Sequence, residues 1–398
     1  MLERACSGGL VDRDRREFLV SLLGSSTLLI GFDKVNAFGS YLTGESDPFE
    51  GGQRLGILEF AGEGRTPLGT MIGTGLDARL YSDLSTLSPE ELVTPVEKFY
   101  VRTAASELLD DSKAWKIKVS GLVERPANIA IDELKEGARP MGMHLMECSG
   151  NARATRFSLL SVADWTGVPI TDLLDRPIKP GANRVMVSGF DQYPTQSAIS
   201  IPGAEWTFTL EQLRSAKAFL ATEMNGKPLT KDNGAPVRLV VPGWYGCTCI
   251  KWVNAITFVG DDVEATSQMQ EFAARTHQQG VPKLVKNYTP ATIDQAAMPI
   301  RVEKWVVNGK LKYRVVGILW GGSRPVKALE IRFNPDGDYV RVDKFSQRTN
   351  DPWSFWSHAW EPKPPGTYFI RLRVSDPVVE TKRLDSGHYV RSVEVTEV

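Results

Sequence analysis

The sequence predicts a mixed α+β core followed by an all-β sandwich of immunoglobulin type. Three observations predict it. Between about residues 98 and 259, short runs alternate apolar and polar residues, the period of half-buried strands, with short helical segments among them. After Pro299 the pattern becomes strand after strand, with no helical segment between. A polar, weakly patterned stretch separates the two halves. It covers residues 266–298, is punctuated by Gly280-Val281-Pro282 and Tyr288-Thr289-Pro290, and is expected to be a linker.

The chain has 398 residues, enough for two or three domains. Its 42% hydrophobic and 24% charged residues are ordinary for a globular protein. The net charge of −1 excludes the molecule as a whole from polyanion binding, so no nucleic-acid partner is expected, while a local basic pocket stays open.

Taken in order, residues 1–37 are expected to be an export signal. Arg15-Arg16 precede Phe18-Leu19 and a modest apolar run to Phe32, and Val35-Asn36-Ala37 offers a small-residue cleavage site. The arginine pair resembles a twin-arginine signal, which carries proteins already folded and implies a periplasmic destination. The competing reading is an amphipathic N-terminal helix. No later segment reaches the ~18 apolar residues of a membrane span. Residues 38–95 are rich in Gly, Pro and polar residues and are expected to wrap irregularly over the core.

Residues 96–265 are expected to form the catalytic domain. Strands are expected at Lys98–Arg102, Trp115–Ser120, Asn183–Ser188, Pro236–Val241 and Ala255–Val259. Helices are expected at Ile131–Gly137, Val168–Leu174 and Leu210–Ser215. In residues 299–398, strands are expected at Ile300–Val307, Lys310–Leu319, Ala328–Phe333, Tyr339–Phe345, Gly366–Ser375 and Tyr389–Val395. Turns at Asn308-Gly309, Pro335-Asp336-Gly337 and Pro364-Pro365-Gly366 separate them.

The chemistry turns on cysteine. There are four: Cys6, Cys148, Cys247 and Cys249. With Cys6 in the leader, three remain, so at least one thiol is free or ligated. Cys148 stands in Met146-Glu-Cys-Ser-Gly-Asn-Ala-Arg-Ala-Thr-Arg-Phe157, among small, polar and basic residues. Structural cysteines sit among apolar neighbours. A reactive or ligating thiolate prefers an electropositive site. His144, His277, His358 and His388 are scattered, and Cys247-Thr-Cys249 has no second pair, so zinc is not expected. A c-type haem motif and a phosphate-binding glycine loop are absent. A cysteine hydrolase would need His144 to face Cys148, which only a helix would allow. A soft, redox-active metal on Cys148 is the remaining option.

At this point a resemblance becomes specific. Thr94-Pro95 with Phe99-Tyr-Val-Arg102, Glu147-Cys-Ser-Gly-Asn151 with Arg153, and Trp165-Thr-Gly-Val-Pro169 resemble the molybdenum-pterin domain of the sulfite oxidase family, in that order. So do Gly189-Phe-Asp191 leading to Ser200-Ile-Pro202, and Asn225-Gly-Lys-Pro-Leu229 with Gly234-Ala-Pro-Val-Arg238. Val241-Pro-Gly-Trp-Tyr-Gly246 and Lys251-Trp252 complete the set. The C-terminal sandwich is similar to that family's dimerisation domain, and the likeness spans roughly residues 90–398.

The resemblance implies a molybdenum–molybdopterin cofactor with Cys148 as its metal ligand. It implies pterin contacts from Phe99, Tyr100, Arg102, Asp191, Asn233, Arg238, Cys249, Ile250 and Lys251. Arg153, Arg102 and Arg348 are the implied catalytic arginines. The implied reaction is oxidation of sulfite to sulfate at an oxo-molybdenum centre, with electrons passed to a c-type cytochrome, in a homodimer by family analogy. Departures are visible. Asn233 and Ala104 stand where the family has histidines, and residues 268–275 hold no pocket tyrosine. These keep open a reductase of sulfoxides or other oxo-substrates, and a metal-free binding protein on the same fold.

Overall fold

The computed structural model describes residues 47–197, 200–333, 337–345, 352–376 and 378–398. The expected leader and Arg348 lie outside them. Residues from Pro48 to Val398 form one unit by their contacts. It is mostly sheet, with α-helices of four to six residues.

Two hydrophobic clusters organise this unit. The first gathers buried residues between Phe99 and Ala291. One of its sheets runs Glu205–Thr209, Arg184–Gly189, Val253–Val259, Lys116–Gly121, Ala127–Ala130. The pairing of Val253–Val259 with Lys116–Gly121 is parallel and its other pairings are antiparallel. The second sheet runs Lys227–Pro228, Phe219–Met224, Leu160–Pro169, Arg139–Glu147, with Arg238–Val240 also pairing to Phe219–Met224. Helix Leu210–Ser215 starts where expected because Thr209 and Gln212 cap it reciprocally.

The second cluster gathers residues from Ala297 to Val395 between two antiparallel five-stranded sheets. Ala296–Val307 and Lys310–Trp320 form its long hairpin, turned by Asn308 and Gly309 at φ 50° and 75°. Strand Ser354–Trp360 adds the buried Trp356 and Trp360.

Four expectations are corrected. Residues 38–95 do not only wrap irregularly. Gln53–Leu58 pairs with Ala296–Val307, and Phe60–Ala61 pairs with Arg391–Val395, so this segment completes both C-terminal sheets. Leu55 and Ile57 on this edge strand point outward, 50% and 42% exposed, which hid the strand from a pattern that equates alternation with burial. Residues 266–298 are not a loose linker. Helix Ser267–Phe272 lies there, and Met269, Ala273, Val285 and Ala291 are fully buried in the first core. Lys98–Arg102 is a 3-10 turn, Val96–Lys98, followed by a single bridge from Val101 to Leu80 rather than a strand. The expected helix at Val168–Leu174 shrinks to Thr171–Leu174, because strand Leu160–Pro169 runs into its first half.

The returning N-terminal segment is locked by Glu63, whose carboxylate takes two hydrogen bonds from Arg391 at 2.6 and 2.5 Å. Both side chains are about 95% buried. Removing one partner of such a pair strands the other charge at a cost of about 3–5 kcal/mol. Glu63→Ala is therefore expected to lower the urea midpoint strongly. Glu63→Leu with Arg391→Met is expected to recover most of the loss, as read by denaturant titration of the three proteins side by side.

Candidate active site

A cavity of about 970 Å³, counting its open mouth, lies against the first core. Its lining includes Phe99, Tyr100, Arg102, Cys148, Asp191, Asn233, Arg238, Cys249, Ile250 and Lys251. All ten expected cofactor-contacting residues thus meet at one place.

Each is delivered by a particular element. Strand Arg139–Glu147 ends just before Cys148, whose N–H donates to Leu159 O at 3.0 Å. Asn151 fastens the loop, accepting from Leu159 N–H at 3.1 Å and donating to Glu147 at 3.3 Å. The Gly150 N–H points at Cys148 Sγ, 3.4 Å away. Arg238 leaves strand Arg238–Val240 fully enclosed and donates to the carbonyls of Asn233 and Cys249 at 3.1 and 3.3 Å and to Met146 Sδ at 3.1 Å. It lies 5.6 Å from the Trp165 ring centre. Lys251 donates to Asp232 O at 2.9 Å and to Thr103 O, over the Trp252 ring. Asp191 accepts from Gly203 N–H at 3.0 Å through one oxygen.

Glycines make this packing feasible. A Cβ on Gly246 would stand 2.5 Å from the Tyr100 hydroxyl, and one on Gly234, at φ 108°, 3.0–3.1 Å from Arg238 and Lys251.

The electrostatics are those of an anion site. Burial pushes the Cys148 thiol up, while Arg102, the Gly150 N–H and Arg275 pull it back. Burial, helped by the Arg238 charge, pushes Lys251 down to about 7, against the pull of Asp232 and Asp191. Burial raises Asp191. Three buried polar atoms at the cavity find no partner among the described residues: Arg238 Nε, Asp191 Oδ1 and, beside Cys148, Ser149 Oγ.

Other expected residues fall elsewhere. Arg153 does not line the cavity. It sits on a 3-10 turn, and its guanidinium donates to Val390 O. Its expected place in a substrate pocket is corrected accordingly. Asn233 contributes its carbonyl, while its side-chain amide turns to Thr230 Oγ1 at 3.0 Å. His144 lies on a strand, bonds Met141 O at 2.9 Å and packs on Phe219, so it is no base for Cys148. Cys247 lies within a 3-10 turn, Gly246–Thr248, and Cys249 caps its end.

Two arginines were missed by sequence. Arg79 meets Arg102 at Ser200 Oγ, each at 3.2 Å, and it belongs to the segment read as irregular. Arg275 stands beside Gly150 and belongs to the segment read as linker. Neither had a motif. A charged residue in a longer apolar strand run betrayed Arg238, but Arg79 lies on a strand of two residues and Arg275 on a 3-10 turn.

Comparison with known proteins agrees with this geometry. The family profile described as "Oxidoreductase molybdopterin binding domain" matches residues 104–267. A mitochondrial sulfite oxidase from Homo sapiens is 24% identical over 78% of this chain and 59% of its own length. A sulfite oxidase from Arabidopsis thaliana is 25% identical over 65% of this chain and 71% of its own. The chain carries an oxidoreductase molybdopterin binding domain and is similar to sulfite oxidases over most of its length. A nitrate reductase [NADPH] from Fusarium oxysporum is 27% identical over 69% of this chain but only 36% of its own, and the chain spans about a fifth of two plant nitrate reductases. The crystal structure of the sulfane dehydrogenase SoxCD from Paracoccus pantotrophus shares the fold, with a TM-score of 0.62 and 16% identity over 92% of this chain and 96% of that one.

The family's cofactor is molybdenum–molybdopterin, and the cavity fits it. A buried thiol offers the soft donor that such a metal needs. Two enclosed cations with an open donor direction suit a phosphate. A cation at the sulfur would deprotonate the thiol outright.

Lys251 carries a pH signature. In the unfolded chain its amine stays protonated to about 10.5. In the folded, cofactor-free chain it sheds its proton near 7. Between these values the unfolded state binds more protons, so this residue makes stability rise with pH. Thermal melts of cofactor-free protein from pH 6.5 to 10 are expected to show that rise relative to Lys251→Met. Parallel curves would refute it.

Proposed function

We propose that this protein oxidises a small oxyanion, sulfite before others, and hands the electrons to a separate one-electron carrier. The observation that carries the reading is one wall: the buried Cys148 thiol with the enclosed Arg238 and Lys251, Arg238 Nε having no partner. Bound molybdenum supplies two-electron oxygen-atom transfer there. The chain's own residues do the rest. Arg238 and Lys251 hold the pterin's phosphate end, and Asp191 accepts a donor of the pterin at its open oxygen. Cys148 supplies thiolate sulfur. Arg102 and Arg79, converging on Ser200, keep the cavity positive for an incoming anion.

A c-type cytochrome suits an acceptor that must take two electrons singly. Export by the twin-arginine route to the periplasm, an immunoglobulin type for the sandwich and a homodimer through it belong to the same proposal. They rest on Arg15-Arg16 and on the strand pattern. Among the described residues no helix is long and apolar enough to cross a membrane.

A second reading, reduction of an oxo-substrate, is favoured by the likeness to nitrate reductases. The test is metal content with paired assays on protein from a host that makes the cofactor. About one molybdenum per chain, with sulfite-dependent reduction of cytochrome c, is expected. Nitrate reduction outpacing sulfite oxidation would move the assignment to the second reading. Protein without molybdenum would sink both and leave a binding protein. Cys148→Ser is expected to change the metal's X-ray absorption by one sulfur neighbour, and an identical spectrum would remove Cys148 from the metal.

A further inference from the structure

We propose that Arg275 is the residue that binds the substrate oxyanion, across the gap that Gly150 leaves open beside the Cys148 thiol. This rests on the function proposed above and names the anchor of its substrate.

The placement is geometric. Helix Ser267–Phe272 gives Ser267, Gln268, Glu271 and Phe272 to the cavity wall, and Arg275 lies on the turn that follows, Ala273–Thr276. A Cβ on Gly150 would stand 3.5 Å from Arg275 Nη1 and 3.7 Å from Cys148 Sγ. The guanidinium and the sulfur therefore flank one point above Gly150, beside the cavity that Cys148 lines.

The wall behind Arg275 is fixed. Thr266 caps the helix by accepting from Met269 N–H at 3.2 Å, and Met269 is fully buried. Gln268 donates to Cys247 O. Arg383 donates to Arg275 O at 2.8 Å and to Ser149 O at 2.7 Å, so the arginine's backbone and the thiol's loop hang from one side chain. The Arg275 guanidinium rests 4.9 Å above the Phe272 ring, and no hydrogen bond or ion pair to the described residues engages it. The other cations are held: Arg102 and Arg79 converge on Ser200 Oγ at 3.2 Å each. Arg238 and Lys251 are held by carbonyls deep in the cavity, and Arg153 by Val390 O.

A free, planar fork over a narrow gap selects a planar or pyramidal oxyanion such as sulfite or nitrate. It gives a neutral sulfoxide no counter-charge.

The test uses molybdenum-loaded protein, with sulfate as a non-reacting probe in titration calorimetry and sulfite in steady-state kinetics. A charge-assisted hydrogen bond of this kind corresponds to roughly a tenfold to hundredfold change in affinity. Arg275→Gln is expected to raise the sulfate Kd and the sulfite KM by that factor, with a smaller effect on kcat. Arg275→Lys is expected to recover part of the loss. Gly150→Ala, which sets a methyl in ordinary contact between the two groups, is expected to weaken sulfate as well. An unchanged sulfate Kd in Arg275→Gln, a larger loss from Arg153→Gln, or no sulfate binding by the parent would overturn the assignment. A parent that binds sulfate through Arg275 yet turns over neither sulfite nor nitrate would sink the proposed function and leave this inference standing.

Discussion

The Glu147 carboxylate, fully buried and one residue before Cys148, is the interaction on which the site depends. It receives the Tyr389 hydroxyl and the Trp320 N–H at 2.9 Å each and the Asn151 amide at 3.3 Å, with the Arg383 guanidinium 3.9 Å away. An unpaired carboxylate at that depth would cost several kcal/mol. Three of these partners, Trp320, Arg383 and Tyr389, come from the C-terminal third of the chain. The charge is therefore satisfied only when the C-terminal sheets are in place. His388 adds a bond to Asn151 O at 2.9 Å, so the Cys148 loop is gripped on both flanks. The C-terminal third is thus more than a separate association module: it completes the support of the thiol.

That coupling explains what could and could not be read from the amino acids. A strand with one wet face, Lys116–Gly121, alternates plainly and was legible. Buried strands were not. Leu160–Pro169 and Phe219–Met224 are covered on both faces, so they carry no period-two signal, and Leu160–Pro169 passed partly as helix. The ten residues that line one cavity were legible through their order along the chain, because a cavity assembled from several loops leaves a fixed series of short motifs. Arg79 and Arg275 were not, because each is a single cation whose meaning depends on where its element docks. Arg153 misled for the converse reason: it sits five residues from the thiol in sequence, but its guanidinium donates to Val390 O instead of lining the cavity.

The charges around the thiol fall into two tiers with different physics. Arg238 and Lys251 are enclosed, and their desolvation is offset by backbone carbonyls that fix their direction. A carbonyl removes no charge, so Arg238 remains a cationic sink for a phosphate that arrives before substrate does, and the arriving anion favours the protonated form of Lys251. Arg275 is exposed and held by an aromatic face alone, so it keeps its hydration until an anion replaces it. Tight, permanent binding suits the enclosed tier, and rapid exchange suits the exposed one. An enzyme that retains its cofactor through many turnovers while admitting and releasing a small anion needs this division. The thiol lies at the boundary between the tiers, the place where the proposed function needs cofactor and passing anion to meet.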